Sequence, residues 1–238
     1  MSQHINIVRI KAIAGLLDQL REDVVFVGGA TVSLYSDTAA SEVRPTDDVD
    51  VIVELATYHG YAELDERLRL LGFLNDAESG VVCRYQINGI TVDIMPTHPE
   101  VIGFSNKWYP AGFKEAISIK VDDRNIKIFP LPFFIASKLE AFKSRGKRNY
   151  LFSSDFEDIV YVLENNSQAQ ELLLNTKPDV LLYLRRAFGE MLIDPDFEEG
   201  LISHLEPNTS AQQFVRIKSI LEIVRLQADT QPINNSQT

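Results

Sequence analysis

Apolar positions recur every three to four residues at the start of the chain. Ile7, Ile10, Ala14 and Leu17, widened by Ile13, Leu16 and Leu20, predict an amphipathic helix over 5–20 that packs on something larger. The pattern then shortens. Residues 24–27 (VVFV) read as a strand running into Gly28-Gly29, residues 30–35 as a short helix, and 36–46 as a polar loop punctuated by Pro45. Residues 49–54 (VDVIVE) read as a second strand. A helix with Tyr61, Leu64, Leu68 and Leu71 on one face follows. Strands at 81–87 and 90–95 flank Asn88-Gly89, a strong hairpin signal. Two further strands, 116–121 and 126–130, follow an aromatic-rich stretch at 103–113. Beyond Leu131 the period is helical throughout: 133–142, 156–164, 180–188 and 214–224. The chain is therefore expected to be mixed α/β over 1–130 and helical over 131–227, with a polar, frayed tail over 228–238.

Composition narrows the function. With 238 residues, 45% of them hydrophobic, the chain can build a sizeable core. No apolar run reaches the roughly 20 residues of a membrane helix. The first 20 residues carry charge through their apolar part and lack a small-residue cleavage site, unlike a signal peptide. Cys83 is the single cysteine, so no internal disulfide forms and a cytoplasmic location is expected. A net charge of −11 argues against a general DNA or RNA binder. The one basic cluster, Lys138 to Arg148, is where an anion would be drawn.

Three carboxylates carry the candidate chemistry. Asp48 and Asp50 alternate with Val49 at the start of a strand, so both project from one face, with Cα atoms about 6.5–7 Å apart. Asp93 lies mid-strand between Val92 and Ile94, where a carboxylate is costly unless it meets a cation, a metal or solvent. If the two strands are neighbours, three oxygen-ligand groups converge as Mg²⁺ or Mn²⁺ requires, with room left for phosphate oxygens. Gly28-Gly29 closes a strand and opens a helix, so backbone N–H groups could face a phosphate, with Thr31 and Ser33 adding hydroxyls.

The order strand, Gly-Gly, helix, Asp-x-Asp on a strand, then a later strand Asp resembles the polymerase-beta-type nucleotidyltransferase superfamily. More narrowly, FVGGATVSLY (26–35), RPTDDVDVIVE (44–54) and the stretch from Phe133 to Glu164 resemble the AbiEii/AbiGii toxin-like nucleotidyltransferases. The resemblance spans about residues 23–163. It departs from the superfamily's commonest form in having Gly-Gly for Gly-Ser and a long stretch between Gly29 and Asp48. It implies an α+β fold, a small mixed sheet flanked by helices and followed by a helical C-terminal lobe. It also implies Asp48, Asp50 and Asp93 as catalytic metal ligands, with Asp93 helping to deprotonate the attacking hydroxyl. Gly28, Gly29, Thr31, Ser33, Arg44, Thr46 and Lys138 are implied to belong to the nucleotide site. Asp155 and Asp158 match an Asp-x-x-Asp element that either supports catalysis or orients Lys138 and Arg145.

The implied activity moves a nucleoside monophosphate from an NTP to an acceptor hydroxyl. A tRNA acceptor and a cognate antitoxin partner belong to the toxin-like reading. A small-molecule acceptor, or a binding module without turnover, are the alternatives. Arg145, Lys147 and Arg148 read as a solvated helix end, and Trp108 and Tyr109 as packing rather than a base-stacking platform. Cys83 reads as a buried thiol, and the four histidines lack metal-ligand spacing. The last 75 residues or so carry no recognisable motif.

Overall fold

The structure, a computed structural model, describes residues 2–37, 43–55, 57–145 and 148–227. Lys147 and the tail expected to fray thus lie outside the described residues, as does the side chain of His4. Among the described residues, seven strands form one mixed sheet: β1 (Val24–Val27), β2 (Asp48–Val53), β3 (Leu74–Asn75), β4 (Arg84–Ile87), β5 (Ile90–Pro96), β6 (Ile117–Val121) and β7 (Arg124–Ile128). Their order is β3-β4-β5-β2-β1-β7-β6. The pairs β2·β5 and β1·β7 are parallel and the others antiparallel.

The β4–β5 hairpin turns on Asn88 and Gly89, both with positive φ (49° and 75°), as a two-residue turn matched to strand twist demands. The expected strand at 81–87 is shorter at its start, although Ile94 N–H still donates to the Cys83 carbonyl at 2.8 Å. Edge strand β3 has two exposed residues and no alternation, which is why the hydrophobic pattern does not mark it.

Helix α1 (Ser2–Leu16) stops short of residue 20. Asp18 takes φ 49°, and a 3₁₀ turn at Asp18–Asp23 leads into β1. Its apolar stripe is buried as the spacing requires: Ile10, Ile13 and Ala14 are fully covered. Helix α2 (Tyr58–Leu70) buries Tyr61, Leu64 and Leu68. The aromatic-rich stretch contains α3 (Pro99–Ile102) and α4 (Tyr109–Lys114).

After β7 every described element is a helix. α5 (Leu131–Ser144), α6 (Ser154–Asn165), α8 (Pro178–Leu192) and α10 (Ser210–Leu226) cover the four periodic stretches. α7 (Ala169–Leu174) and α9 (Phe197–Ser203) are too short to announce themselves. The fold is α+β, with a helical C-terminal part. Sheet residues such as Phe26, Val51 and Ile94 and helix residues such as Ile135, Phe156 and Phe188 belong to one continuous buried cluster. No described helix is long and apolar enough to cross a membrane.

Candidate active site

The sheet register builds the site. Asp50 pairs with Asp93 across the parallel β2·β5 ladder, and Asp93 pairs with Arg84 across the antiparallel β5·β4 ladder. Directly paired residues point to the same face, so Asp50, Asp93 and Arg84 form one row across three strands. Asp48, two residues before Asp50, joins them on that face, while Val49 and Val51 turn into the core with no exposure. One carboxylate oxygen from each of Asp48, Asp50 and Asp93 lies within 4.8 Å of the others. Hard oxygen donors in this number and spacing fit Mg²⁺ or Mn²⁺.

Gly28 is required by geometry twice over. Its φ is 75°, and a Cβ there would collide with Asp50 Oδ2. The close approach follows from the antiparallel β1·β2 pairing, which sets Val27 against Asp50 and leaves Gly28 beside the carboxylate. Gly29 has a different role: a Cβ there would meet Thr46 Cγ2 at 2.8 Å, so this glycine lets the polar loop pack closely.

A cleft of about 500 Å³ opens over this row. Gly28, Asp50 and Asp93 line it, and so do Lys138, Arg145 and Asp155 from the helical part. Lys138 is buried on α5, with its Nζ 3.1 Å from Asp155 Oδ1 and 2.6 Å from Asp158 Oδ2. The two aspartates stand three apart on α6, hence on one face of that helix. Arg145 donates from Nε and Nη2 to both oxygens of Asp155, each at 2.8 Å. It therefore belongs to the cleft wall rather than to a freely solvated helix end. Asp155 and Asp158 hold Lys138 and, through Asp155, Arg145.

The remaining residues of the expected nucleotide site sit behind the cleft lining. Thr31 is fully buried, and its hydroxyl donates to the Gly28 carbonyl at 2.9 Å, shaping the glycine turn. Ser33 is buried in the same 3₁₀ turn. Thr46 donates from Oγ1 to the Asp48 carbonyl at 3.0 Å, and its N–H donates to Asn6 Oδ1 at 3.0 Å. Arg44 lies 3.5 Å from Asp158 and 3.3 Å from Glu157, tying the loop before β2 to α6. The Arg-x-Thr pair thus fixes where β2 begins, and with it where Asp48 and Asp50 stand.

The electrostatics divide sharply. Burial, reinforced by the charges of Asp48 and Asp93, pushes Asp50 up to about 7 against the pull of Lys138 and Arg145. Burial alone would raise Asp155, but Arg145 and Lys138 outweigh it and hold its carboxyl below the usual range. Burial would likewise lower Lys138, yet Asp158 and Asp155 keep its ammonium above its ordinary value.

Arg84 is the residue that motif reading passes over. Its Nε donates to Asp93 Oδ1 and its Nη2 to Asp93 Oδ2, both at 2.8 Å, and Nη2 also reaches Asp48 Oδ2 at 3.4 Å. The signal was in the hairpin. A two-residue turn at Asn88-Gly89 pairs Ile87 with Ile90 and, three residues along each strand, Arg84 with Asp93.

Trp108 packs on Phe133 and Tyr183, while Tyr109, its ring edge-on to Phe129, also lines the cleft. Cys83 is buried, and burial pushes its thiol up to about 12, far from a nucleophile's range.

No protein-family model matches the chain, and no curated protein matches it in sequence. Solved structures do. A nucleotidyltransferase-like antigenic protein from Paracoccidioides brasiliensis superposes with a TM-score of 0.50 at 16% identity, over 89% of this chain and 99% of that one. A putative nucleotidyltransferase from H. pylori gives a TM-score of 0.45 at 11% identity, over 94% and 96%. The first likeness shows that the chain shares the fold of a nucleotidyltransferase-like protein.

Proposed function

We propose that the protein is a metal-dependent nucleotidyltransferase that moves a nucleoside monophosphate from an NTP to an acceptor hydroxyl. The observation that carries this reading is the convergence of Asp48, Asp50 and Asp93, of which Asp50 and Asp93 line, with Gly28, a cleft that Lys138 and Arg145 also line. All three carboxylates are present, which favours turnover over a binding module that has lost it.

In this reading residues 1–130 form the catalytic core and the helices of 131–227 supply the cationic wall. Asp48, Asp50 and Asp93 would hold Mg²⁺ or Mn²⁺, which when bound neutralises charge on the α-phosphate and the departing pyrophosphate. Gly28 lets the triphosphate approach the backbone, while Lys138 and Arg145 face its β- and γ-phosphates. The acceptor oxygen bonds to the α-phosphorus, the α–β anhydride bond breaks, and the hydroxyl proton passes to Asp93, whose orientation Arg84 fixes. Thr31, Ser33, Arg44, Thr46, Gly29 and Asp158 serve the nucleotide by holding these groups in place.

The toxin-like role, with a tRNA acceptor and a cognate antitoxin, is supported by the motif resemblance across residues 23–163. The acidic surface suits a small hydroxylated acceptor equally well. Incubation with each α-labelled NTP and Mg²⁺, with total RNA in one arm and an aminoglycoside in the other, tests the reaction and identifies the acceptor. Label transfer that Asp48→Asn abolishes is the expected result. Equal transfer by Asp48→Asn would place the chemistry elsewhere.

A further inference from the structure

Arg84 makes bidentate use of Asp93, occupying both of its oxygens, and extends the same Nη2 towards Asp48. Among the described residues, the ion pairs made by Asp48 and Asp93 all run to this one side chain. A guanidinium fork placed this way takes the lone pairs that a divalent ion would otherwise use first. It also reduces the formal charge facing an incoming cation from −3 to −2. β4 carries Arg84 opposite Asp93 by register, so the contact is built into the sheet rather than made by a wandering surface chain. About a quarter of the side chain is exposed, which leaves the head room to move without unfolding the strand.

We infer that Arg84 is a resident cation of the acidic triad, a positioning residue that competes with the divalent ion and keeps the nucleotide-free site from filling tightly. The inference rests on the metal site of the proposed function and deepens it. Its consequence is a site that loads its ion together with the phosphates of a nucleotide, which offer Arg84 an alternative anionic partner.

The test is titration of Mn²⁺ into nucleotide-free protein, with free Mn²⁺ read by electron paramagnetic resonance. A unit positive charge about 5 Å from a divalent ion in a water-like dielectric weakens its binding roughly tenfold. Arg84→Gln should therefore bind Mn²⁺ about ten times more tightly than wild type. Arg84→Lys, whose single ammonium cannot span both carboxylates, should fall between the two, and it carries the test alone if Arg84→Gln does not fold. A role confined to bracing Asp93 gives the opposite sign, since a loosened ligand weakens the ion. Unchanged or weaker binding in these variants, with wild-type binding still lost in Asp48→Asn, overturns the inference and leaves the metal site standing. Equal Mn²⁺ binding by wild type and Asp48→Asn overturns the metal site itself, and Arg84's role with it.

Discussion

Two clusters of charge face each other across the cleft, and they are built on opposite plans. On the helical side, Asp155 and Asp158 meet Lys138, Arg145 and Arg44, so every buried charge has a partner. On the sheet side, the one arginine pairs with Asp48 and Asp93, and Asp50, which has no ion pair among the described residues, is pushed up to about 7 by burial and by the charges of those two neighbours. A balanced cluster is a scaffold: it fixes a lysine without asking for anything further. An unbalanced one is stable only in part, and a divalent cation completes it. The difference separates residues that position from residues that react.

The largest expected effect breaks the sheet side. Asp50→Asn should lower nucleotidyl transfer by about a thousandfold or more, because an amide is a poor ligand for a hard ion and the α-phosphate charge goes uncompensated. The same change should leave the fold intact and raise its metal-free stability, since it relieves repulsion from Asp48 and Asp93. The stability gain should be larger than for Asp48→Asn, because Asp48 is a third exposed and already has Arg84 within 3.4 Å. Label-transfer rates and urea midpoints measure the two halves.

The helical side should respond with the reverse pattern. Lys138→Met removes the nearer of Asp158's two cations, leaving Arg44 at 3.5 Å, and weakens the hold on Asp155, at a cost of about 3 kcal/mol in folding free energy, as for a broken buried ion pair. Denaturant midpoints in chelator would show it. If neutralising Asp50 destabilises as much as neutralising Lys138, the two clusters are not different in kind.

Much of this contrast is legible in the sequence, and the remainder is hidden for stated reasons. Strand alternation puts Asp48 and Asp50 on one face, and Gly28-Gly29 marks the close approach, because both signals are local. Arg84 needed the hairpin register as well as the residue type, and a lone arginine in a strand reads as an edge residue. Arg44 and Thr46 are visible as a motif, but their partners, Asp158 and Asn6, lie more than a hundred residues downstream and some forty upstream. No periodicity reports such contacts. Strand β3 escaped because two exposed residues bury nothing to pattern.

The two sides should also respond to pH with opposite signs. Asp50's folded value, near 7, lies above the usual carboxylate value of 3.8. Between those values the folded protein keeps a proton that the unfolded chain has released. In chelator, its stabilising contribution is therefore present at the acid end and is lost as pH rises through about 4 to 7. Asp155 is lowered, so its contribution holds above the usual carboxylate value and is lost only as pH falls below it. The unfolding free energy from urea titrations should fall by about 3 kcal/mol between pH 4.5 and 8 in wild type and flatten in Asp50→Asn. Asp155→Asn should keep the slope; if it removes the slope, the titrating group sits on the helical side.

The smallest expected effect is the most direct reading of which side is incomplete. An ion that binds only the folded state stabilises it by RT ln(1 + [L]/Kd), which at tenfold excess over Kd is about 1.4 kcal/mol. For a chain of this size that corresponds to a rise of roughly 3–6 °C in Tm. Mg²⁺ at millimolar concentration should give wild type such a rise over the value in chelator. Asp48→Asn should gain clearly less, having lost one of three oxygen ligands while keeping Asp50 and Asp93. Asp155→Asn should start lower and still gain as much as wild type, because its charges already pair among themselves and the triad is untouched. Calorimetric scans of the three proteins decide the matter: if Asp48→Asn gains as much as the others, the cation binds outside the triad, and the imbalance on the sheet side has another purpose.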